Sequence, residues 1–496
     1  MTAFQSPASW RDVLSVVEAH ARESGAQVWT VGGTVRDVLR GRDTRDLDLA
    51  VDQNALRWAR RLADLLNGSF VALDDENAVA RIVLEGRHID VAQLRGTIED
   101  DLRRRDFTID ALAVLLGARN VIDVTGGLDD LKNRRLRMTS EQSLDDDPLR
   151  MLRAVRIAHE LRFAIESRTG DAIRARTPAI NAISPERIRD ELARMLALPN
   201  AYDAFRALDD MRLLDEAIPE LAAGRRVTQP EEFHVYDVFE HNIRALEAMD
   251  LMLREVPHEG GRPWLRDELW AAFEWCAPRL RAYLGEELTE GHTRAALLRF
   301  AVLLHDVGKP ATRSVDAGGR IRFFGHARAG AALAARIMHR LRFSTRETQF
   351  VRLLVAEHLR PVQLAQKGAA PTRKALYRFY RDLPHAIPAV LLLSLADGAA
   401  SAGPRLTPEG WAAQVRYMNS LLVRSQEEEG IVSPPRLLTG RDIMRELGES
   451  EGPHIGRLLE ALTEAQAAGE VTDTRGALAF VRELARKERR RGVERS

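Results

Sequence analysis

The spacing of apolar and polar residues divides the chain into an alternating first part and a helical remainder. Up to about residue 140, segments with a helical period alternate with short apolar runs typical of strands. We expect helices over residues 10–23, 33–39 and 54–66, and strands over 27–31, 46–51, 70–73, 78–84 and 87–94. From about Asp147 the period stays helical, with helices over 148–161 and 295–304 and another that opens with Ser184 as its N-cap. The pattern predicts an α+β N-terminal domain, with a mixed sheet and flanking helices, followed by all-α domains.

Length, charge and cysteine content narrow the class of protein. The chain has 496 residues, which suggests about three domains, and its 73 basic and 73 acidic side chains cancel. Any surface that attracts nucleic acid must therefore be local. Cys276 is the only cysteine, which excludes a disulfide framework and a multi-thiolate zinc site. With no apolar signal core at the N-terminus and no run expected to span a membrane, the sequence predicts a soluble cytoplasmic protein.

A glycine pair followed by a carboxylate pair is the most informative motif. Gly32 and Gly33 stand between a predicted strand and a predicted helix, where a backbone turn can pass close to phosphate oxygens. Arg36 adds a forked cation suited to phosphate. Asp46 and Asp48 are two residues apart on the next predicted strand, so both carboxylates face the same side. This order predicts a site for a triphosphate and Mg²⁺.

More charged residues follow on later predicted elements. Asp90 is either a third carboxylate near the pair or part of a structural ion pair. Arg103, Arg104 and Arg105 cannot all share one face, so we expect at least one of them on the plain surface. The others are candidates to neutralise a triphosphate or hold a ribose, with Asp106 accepting a hydroxyl.

Asp147 and Arg150 form the second telling pair. They are three residues apart across a predicted helix start, so we expect the side chains to meet on one face. An acceptor beside a forked donor can pair with the Watson–Crick edge of a base. The alternative is a carboxylate that stabilises the helix N-terminus and forms an intrahelical ion pair.

Further along the chain, histidines and aspartates occur at intervals that suggest a metal site. His305 and Asp306 are adjacent at the end of an apolar helix and are suited to share one divalent ion. Mixed imidazole and carboxylate ligands suit Mn²⁺, Fe²⁺, Co²⁺, Ni²⁺ or Zn²⁺. The other candidate ligands are His241, His326, His358 and Asp397. Lys309 and Arg313 are expected either to steady a phosphate or to face solvent, and His258 and His292 to lie on the surface.

Together, the motifs of the first 200 residues resemble those of class II tRNA nucleotidyltransferases, the CCA-adding enzymes, and their bacterial poly(A) polymerase relatives. The matching segments are 32–37, 46–48, 103–109, 123–127, 146–150 and 186–192, with a further likeness in the tail at 435–466. The resemblance implies an N-terminal nucleotidyltransferase palm followed by an all-α neck, HD domain and tail. The implied domains are the palm at 1–140, a base-selecting and RNA-binding neck at 141–225, an HD domain at 226–405 and a tRNA-binding tail at 406–496.

The resemblance also implies roles for individual residues. Asp46 and Asp48 are the implied catalytic ligands of two Mg²⁺ ions. The implied nucleotide-binding residues are Gly32, Gly33, Arg36, Arg105, Asp106, Asp147, Arg150 and Arg153. Asp147 and Arg150 select CTP and ATP without a nucleic-acid template, and the implied acceptor is tRNA.

Some positions depart from the family pattern. Asp110 stands where the family usually has asparagine, and Asp146 stands where glutamate is more usual. The stretch from Asp52 to Asp90 is compact, whereas in the family a flexible loop there assists the final ATP addition. The sequence therefore leaves two readings open: CCA addition, or CC addition completed by a separate A-adding enzyme.

The histidine and aspartate series resembles the HD phosphohydrolase superfamily. By this resemblance His241, His305, Asp306 and Asp397 bind one divalent transition metal, such as Mn²⁺, Ni²⁺ or Co²⁺. His326 and His358 hold a second, with Asp306 bridging. The implied activity is hydrolysis of a phosphoester. Two other readings of the whole chain remain: a bacterial poly(A) polymerase, and an HD phosphohydrolase whose palm only binds nucleotide or RNA.

Overall fold

The computed structural model describes residues 4–232, 234–254, 262–365, 371–427 and 434–493. The chain forms two compact units, one of residues 1–198 with 203–217 and the other of residues 199–202 with 218–496. The predicted division into four domains, with boundaries near 140, 225 and 405, stays a prediction.

A seven-stranded mixed sheet forms the centre of the first unit. Its strands are β1 (Val28–Val31), β2 (Asp46–Val51), β3 (Ser69–Asp74), β4 (Val79–Leu84), β5 (Arg87–Gln93), β6 (Leu112–Leu115) and β7 (Val121–Asp123). The spatial order is β3-β4-β5-β2-β1-β6-β7, in which β2 and β5 are parallel and the other neighbours are antiparallel. The predicted mixed sheet is confirmed, and β6 and β7 extend it beyond the strands that the apolar pattern had indicated.

Helices flank this sheet and then continue alone. They are α1 (Arg11–Ser24), α2 (Gly32–Leu39), α3 (Ala55–Leu66), α4 (Ile98–Arg103), α5 (Gly127–Lys132), α6 (Glu141–Asp146), α7 (Arg150–Leu161), α8 (Ser167–Arg174), α9 (Pro185–Ala197), α10 (Ala201–Asp210) and α11 (Leu213–Ala217). One core cluster joins Trp10 and Val17 to Trp58 and Leu62 of α3 and to the inner face of β2. Burial of these large apolar side chains, each contributing roughly 1.5–3 kcal/mol, fixes the sheet against α1 and α3.

The helix predicted to begin at Pro148 begins instead at Arg150. Asp147 has an extended backbone, with φ −147° and ψ 97°, and its side chain accepts a hydrogen bond from the backbone N–H of Leu149 at 3.2 Å. This local bond competes with helix formation, so Asp147 lies in the connection between two helices. Ser184 is the N-cap position of α9, as predicted.

The second unit is almost entirely helical. Its helices are α12 (Pro219–Ala222), α13 (Val238–Leu253), α14 (Trp264–Ala272), α15 (Ala277–Gly285), α16 (Arg294–Leu304), α17 (Lys309–Thr312), α18 (His326–Arg340), α19 (Thr345–Glu357), α20 (Arg360–Ala365), α21 (Arg373–Asp382), α22 (Ile387–Ala402) and α23 (Pro408–Glu427), followed by tail helices over Gly440–Leu447, Pro453–Ala468 and Thr474–Val493. Short strand pairs interrupt the helical pattern at Glu287–Thr289 with His292–Thr293, and at Ser314–Val315 with Ile321–Arg322.

The expectation that no run is apolar enough to span a membrane was wrong for one helix. Among the described residues, the stretch Ile387–Arg405 passes that test by length and composition. About two thirds (67%) of its most apolar window is buried inside the structure, where α22 packs against α13 and α16. A core helix that is apolar on every side gives the same composition as a membrane span.

Two histidines had been expected on the surface. His258 lies outside the described residues. His292 was predicted wrongly, because its side chain is only 14% exposed and its Nδ1 lies 2.5 Å from Glu347 Oε1. Glu347 belongs to the capping box of α19, so His292 ties a strand to a helix end.

Candidate functional sites

The two glycines bring the start of α2 against charged side chains. Gly32 has φ +65°, in the left-handed region that favours glycine. A Cβ on Gly32 would lie 3.0 Å from Arg105 Nη1 and 3.4 Å from Asp48 Oδ2. A Cβ on Gly33 would lie 3.4 Å from both Arg36 Nη2 and Asp48 Oδ2. The absence of side chains at this turn keeps space beside a carboxylate and two guanidinium groups.

Asp46 and Asp48 occupy one face of β2. They alternate with Leu47 and Leu49, which are buried in the core. Because successive side chains point to opposite faces of a strand, the same alternation that buries the leucines turns both carboxylates away from that core. Asp48 Oδ2 accepts hydrogen bonds from the backbone N–H and the hydroxyl of Thr34, each at 3.3 Å.

Asp90 lies beside this pair. It is in register with Asp48 on the neighbouring parallel strand. Burial and the charge of Asp90 raise the pKa of Asp48 to about 6. Asp90 also accepts two hydrogen bonds of 2.8 Å from Arg81, so it is at once a nearby carboxylate and a member of an ion pair. Carboxylates this close together oppose each other's ionisation. A divalent cation that takes oxygen ligands would offset this repulsion, so the arrangement fits such an ion.

Arg36 is held by two carboxylates in this structure. Its guanidinium donates to Asp110 at 2.6 Å and to Asp37 at 2.9 Å. Asp110, at the position where asparagine had been expected, is buried, and burial raises its pKa. The ion pair with Arg36 gives the carboxylate at position 110 a partner that compensates its burial.

The arginine run separates as expected. Arg103 is more than half exposed and pairs only loosely with Asp100, at 3.7 Å. Arg105 pairs with Asp101 at 3.1 Å while its Nη1 reaches the glycine turn. Of the three arginines, Arg105 is therefore the one that the structure brings to the turn.

Asp106 and Arg153 form a salt bridge next to this region. Arg153 Nη2 lies 2.9 Å from Asp106 Oδ2, and Asp106 is 8% exposed. Burial opposes ionisation of Asp106, but the neighbouring Arg153 and Arg150 lower its pKa. Asp106 is thus an ionised acceptor with its second oxygen bound to the backbone N–H of Phe107.

The prediction that Asp147 and Arg150 share a helix face was wrong. Asp147 lies before α7, and its Oδ2 accepts a hydrogen bond from Arg187 at 2.7 Å. Arg150 Nη1 donates to the backbone carbonyls of Arg104 and Ser143, at 3.1 and 3.0 Å. Arg187 lies in the matching segment 186–192, but no role for it was expected from the sequence. Its position at the start of the helix that follows Ser184 was the one feature of the sequence that could have drawn attention to it.

The six candidate ligands of the second unit converge. His241 Nε2 lies 3.0 Å from His305 Nε2, 3.3 Å from Asp306 Oδ2 and 3.2 Å from Asp397 Oδ1. The other oxygen of Asp306, Oδ1, lies 3.4 Å from His326 Nε2 and 3.8 Å from His358 Nε2. Two groups of donors capable of holding a metal ion, one with His241 and His305 and one with His326 and His358, therefore share Asp306.

Hydrogen bonds on the far side of each ring set the imidazole orientation. The Nδ1 atoms of His305, His326 and His358 lie 2.7–2.8 Å from the backbone carbonyls three residues earlier, those of Val302, Phe323 and Val355. With Nδ1 bound to the carbonyl, the Nε2 atom of each ring faces Asp306.

Several of the converging atoms lack partners of their own. Within the described part of the chain, Asp306 Oδ1, His326 Nε2 and His358 Nε2 are buried without a hydrogen bond. Buried polar atoms of this kind are rare unless something else satisfies them. The donor set of imidazole nitrogens and carboxylate oxygens fits divalent transition metals.

Lys309 is a buried member of the same cluster. Its Nζ lies 2.6 Å from Asp306 Oδ2 and 2.6 Å from Gln229 Oε1, so the solvent-facing alternative was wrong for Lys309. Burial opposes the charges, but Lys309 and His305 hold the pKa of Asp306 well below its usual range, and Asp306 raises that of His305 to about 10. Arg313 is exposed and donates a long hydrogen bond, 3.3 Å, to Thr228.

Sequence reasoning missed His234. Its ring packs edge-on against His241 at 5.0 Å, and its Nδ1 lies 3.2 Å from Ser401 Oγ. Ser401 in turn donates to Asp397 Oδ1 at 3.3 Å. His234 precedes α13 instead of lying on it, so no helical spacing to His241 marks it in the sequence.

Three family models match parts of the chain. Residues 28–98 and 85–137 match the "Poly A polymerase head domain", 162–224 match the "Probable RNA and SrmB- binding site of polymerase A", and 279–400 match the "HD domain". The A-adding tRNA nucleotidyltransferase of Deinococcus radiodurans is 37% identical over 461 residues, covering 92% of this chain and 95% of the relative. The CC-adding tRNA nucleotidyltransferase of Thermus thermophilus is 34% identical over 459 residues, covering 91% and 92%.

The fold is also that of solved structures. The Thermotoga maritima CCA-adding enzyme complexed with tRNA has a TM-score of 0.59 at 20% identity, over 98% of this chain and all of that one (100%). Palm sheet, helical neck and HD domain together define a nucleotidyltransferase with an attached HD domain. The chain belongs to the family of tRNA nucleotidyltransferases and bacterial poly(A) polymerases.

Proposed function

We propose that the chain adds nucleotides from CTP and ATP to the 3′ end of tRNA, with Asp46 and Asp48 as ligands of two Mg²⁺ ions. The observation that carries this proposal is the meeting of Asp48, Arg105 and Arg36 at the turn formed by Gly32 and Gly33. A triphosphate in this space faces backbone N–H groups at a helix start and two guanidinium groups.

In this scheme the side chains of the protein mainly position the reacting groups of tRNA and nucleotide and stabilise their charge. Mg²⁺, when bound, supplies the charge that favours attack by the tRNA 3′-hydroxyl and departure of pyrophosphate. Asp48, held by Thr34, presents its carboxylate beside the turn. Arg105 lies where it can neutralise triphosphate oxygens, and the buried Asp106, fixed by Arg153, can accept a ribose hydroxyl.

The neck residues Asp147 and Arg150 are proposed to read the base. The two side chains do not pair with each other. Each can form hydrogen bonds to a base only if it first gives up its present partner. Asp147 has Arg187, and Arg150 has two carbonyls. Arg187 is therefore a candidate to position Asp147 and so to influence the choice between CTP and ATP.

The nucleotides added distinguish three candidates: CCA addition, CC addition and A addition. The stretch between β2 and β5 is filled by α3, β3 and β4, with short connections, which favours CC addition with a separate A-adding partner. The A-adding relative, 37% identical over 95% of its own length, favours A addition as the second candidate.

We also propose a phosphohydrolase at the HD domain. Asp306 bridges two donor groups there, and buried Nε2 and Oδ1 atoms without hydrogen bonds face one of them. Mn²⁺, Ni²⁺ or Co²⁺ suits these donors and supplies a hydroxide for attack on a phosphoester when bound. Lys309 is placed to contact a substrate phosphate, since its ammonium lies next to Asp306.

The direct test offers tRNA transcripts that lack CCA, lack CA or lack only A, with CTP, ATP or both. Extension of the first transcript by C-C alone supports CC addition, and extension of the transcript that already ends in C-C supports A addition. Extension by all three nucleotides supports CCA addition. Long A tracts on unrelated RNA would contradict the proposal in favour of a poly(A) polymerase.

A further inference from the structure

Four arginines surround a cavity of about 430 Å³ at the opposite end of α2 from the glycine turn. They are Arg40, Arg42, Arg134 and Arg162. The remaining lining is apolar, from Leu131, Leu161 and Phe163, and among the residues that the structure describes no acidic side chain contributes to it. Since α2 has eight residues, its two ends are about 12 Å apart at 1.5 Å per residue.

The positive charges of the arginines around this cavity are only partly compensated by carboxylates. Arg40 Nη1 is buried without a hydrogen bond and lies 3.5 Å from Asp37, whose carboxylate is already shared with Arg36. Across the described residues, the side chains of Arg42, Arg134 and Arg162 have no ion pair or hydrogen bond. Burial and the nearby Arg42 lower the pKa of Arg40, as expected where cations crowd together.

A planar face completes the pocket. The guanidinium of Arg40 lies 5.5 Å from the centre of the Phe163 ring. This contact holds one guanidinium in place and leaves the others free to turn toward a ligand. Forked guanidinium groups around a concave surface match the oxygens of phosphate groups.

We propose that Arg40, Arg42, Arg134 and Arg162 form a binding site for phosphate groups of an RNA backbone, separate from the triphosphate site. RNA as the ligand rests on the proposed function. The match to an RNA-binding family model begins at residue 162, within this pocket, whereas Arg40, Arg42 and Arg134 lie outside that match.

A simpler explanation competes with this one. Arg40 and Arg162 are the C-caps of α2 and α7, where a cation is stabilised by the helix dipole. If that is their whole role, removing the charge lowers stability and leaves RNA binding unchanged. Arg42 and Arg134 lie outside the helices, so a variant at those two positions separates the explanations.

The experiment measures binding of fluorescent tRNA lacking CCA to the full chain by anisotropy, from 50 to 300 mM KCl. The variants are Arg42→Gln/Arg134→Gln and Arg134→Gln/Arg162→Gln. The control is Arg57→Gln/Arg61→Gln, which removes the same charge from exposed arginines on α3. Each site variant should weaken binding about tenfold at low salt and reduce the slope of log Kd against log[KCl] by about one to two, while the control changes neither.

Other results would overturn the proposal. A lower Tm with unchanged tRNA affinity would leave the arginines as helix caps only. If the site variants lose binding of tripolyphosphate in a parallel titration but keep the tRNA affinity of the wild type, the ligand of the arginine site is free phosphate and not RNA. Failure of the wild-type chain to extend tRNA would contradict the proposed function, and the affinity comparison would still decide on the arginine site.

Discussion

Arg187 donates a hydrogen bond to Asp147 at 2.7 Å and thereby ties the start of α9 to the extended segment before α7. Asp147 is the residue proposed to accept from the base, so its partner controls where that acceptor points. We expect Arg187→Ala to leave folding intact and to reduce kcat/KM discrimination between the favoured and unfavoured nucleotide by roughly tenfold, about 1.4 kcal/mol. Arg168→Ala is the matched control, because Arg168 is a 76% exposed neck arginine with a surface ion pair. Equal discrimination in wild type and Arg187→Ala would remove Arg187 from base selection.

The raised pKa of Asp48 predicts a conflict between stability and activity. Burial and Asp90 raise its pKa to about 6 in the folded chain, above the ordinary 3.8. The folded state therefore holds this proton more tightly than the unfolded state. The contribution of Asp48 to stability is fully present below pH 4 and is lost as the pH rises to about 6.

In metal-free buffer at pH 7.5, Asp48→Asn should accordingly raise stability, by on the order of 2 kcal/mol, or a few degrees in Tm. The gain should shrink as the pH falls toward 4, and also when Mg²⁺ is added to the wild type. Thermal unfolding in EDTA and in MgCl₂ measures it. Asp46→Asn, at an exposed position on the same strand, serves as the comparison. A gain that does not depend on pH would contradict the proposed electrostatic cause.

The ammonium of Lys309 lies 2.6 Å from Asp306 Oδ2, so we expect it to compete with a metal for that carboxylate. We expect Lys309→Met to tighten Mn²⁺ binding by roughly tenfold, since it removes one positive charge next to the proposed ligands. The same variant should slow hydrolysis of a phosphoester, because the contact with the substrate phosphate is lost. Calorimetric titration with Mn²⁺ and a phosphatase assay check the two effects separately. Weaker Mn²⁺ binding would show that Lys309 supports the site instead.

The palm and the HD domain are expected to work independently. His305→Ala should abolish Mn²⁺ binding at the HD site and leave nucleotide addition within about twofold of wild type, because the two donor sets share no residue. Asp48→Ala should abolish nucleotide addition and leave Mn²⁺ binding at the HD site unchanged. Loss of both activities in either variant, with normal thermal unfolding, would contradict independent sites.

Much of the fold and of both sites could be predicted from the sequence. The spacing of apolar and charged residues within a single helix or strand indicates which side chains are buried and which share a face. Leu47 and Leu49 alternate with Asp46 and Asp48, so burial of the leucines fixes the carboxylate face. The convergence of six histidines and aspartates followed from the resemblance to HD proteins and is seen directly in the distances around Asp306.

The parts that the sequence could not supply depend on contacts between distant residues. The partner of Asp147 is Arg187, 40 positions away. The local spacing to Arg150 misled because the helix begins at Arg150, two residues later than predicted, which leaves Asp147 outside it. His234 is linked to Asp397 through Ser401, a connection that no periodicity shows. For Lys309 the sequence left two alternatives open, a phosphate contact or a solvent-facing side chain, and only its burial beside Asp306 and Gln229 excludes the second.

The most direct test of the central claim is transfer of labelled CMP or AMP to tRNA transcripts that lack CCA or lack only A, by wild type and by Asp48→Asn at saturating Mg²⁺. We predict transfer by the wild type and a loss of at least about 1,000-fold in the variant, roughly 4 kcal/mol of transition-state stabilisation, with tRNA affinity unchanged. Transfer by Asp48→Asn within tenfold of wild type would contradict the assignment of the reaction to the carboxylates beside Gly32 and Gly33.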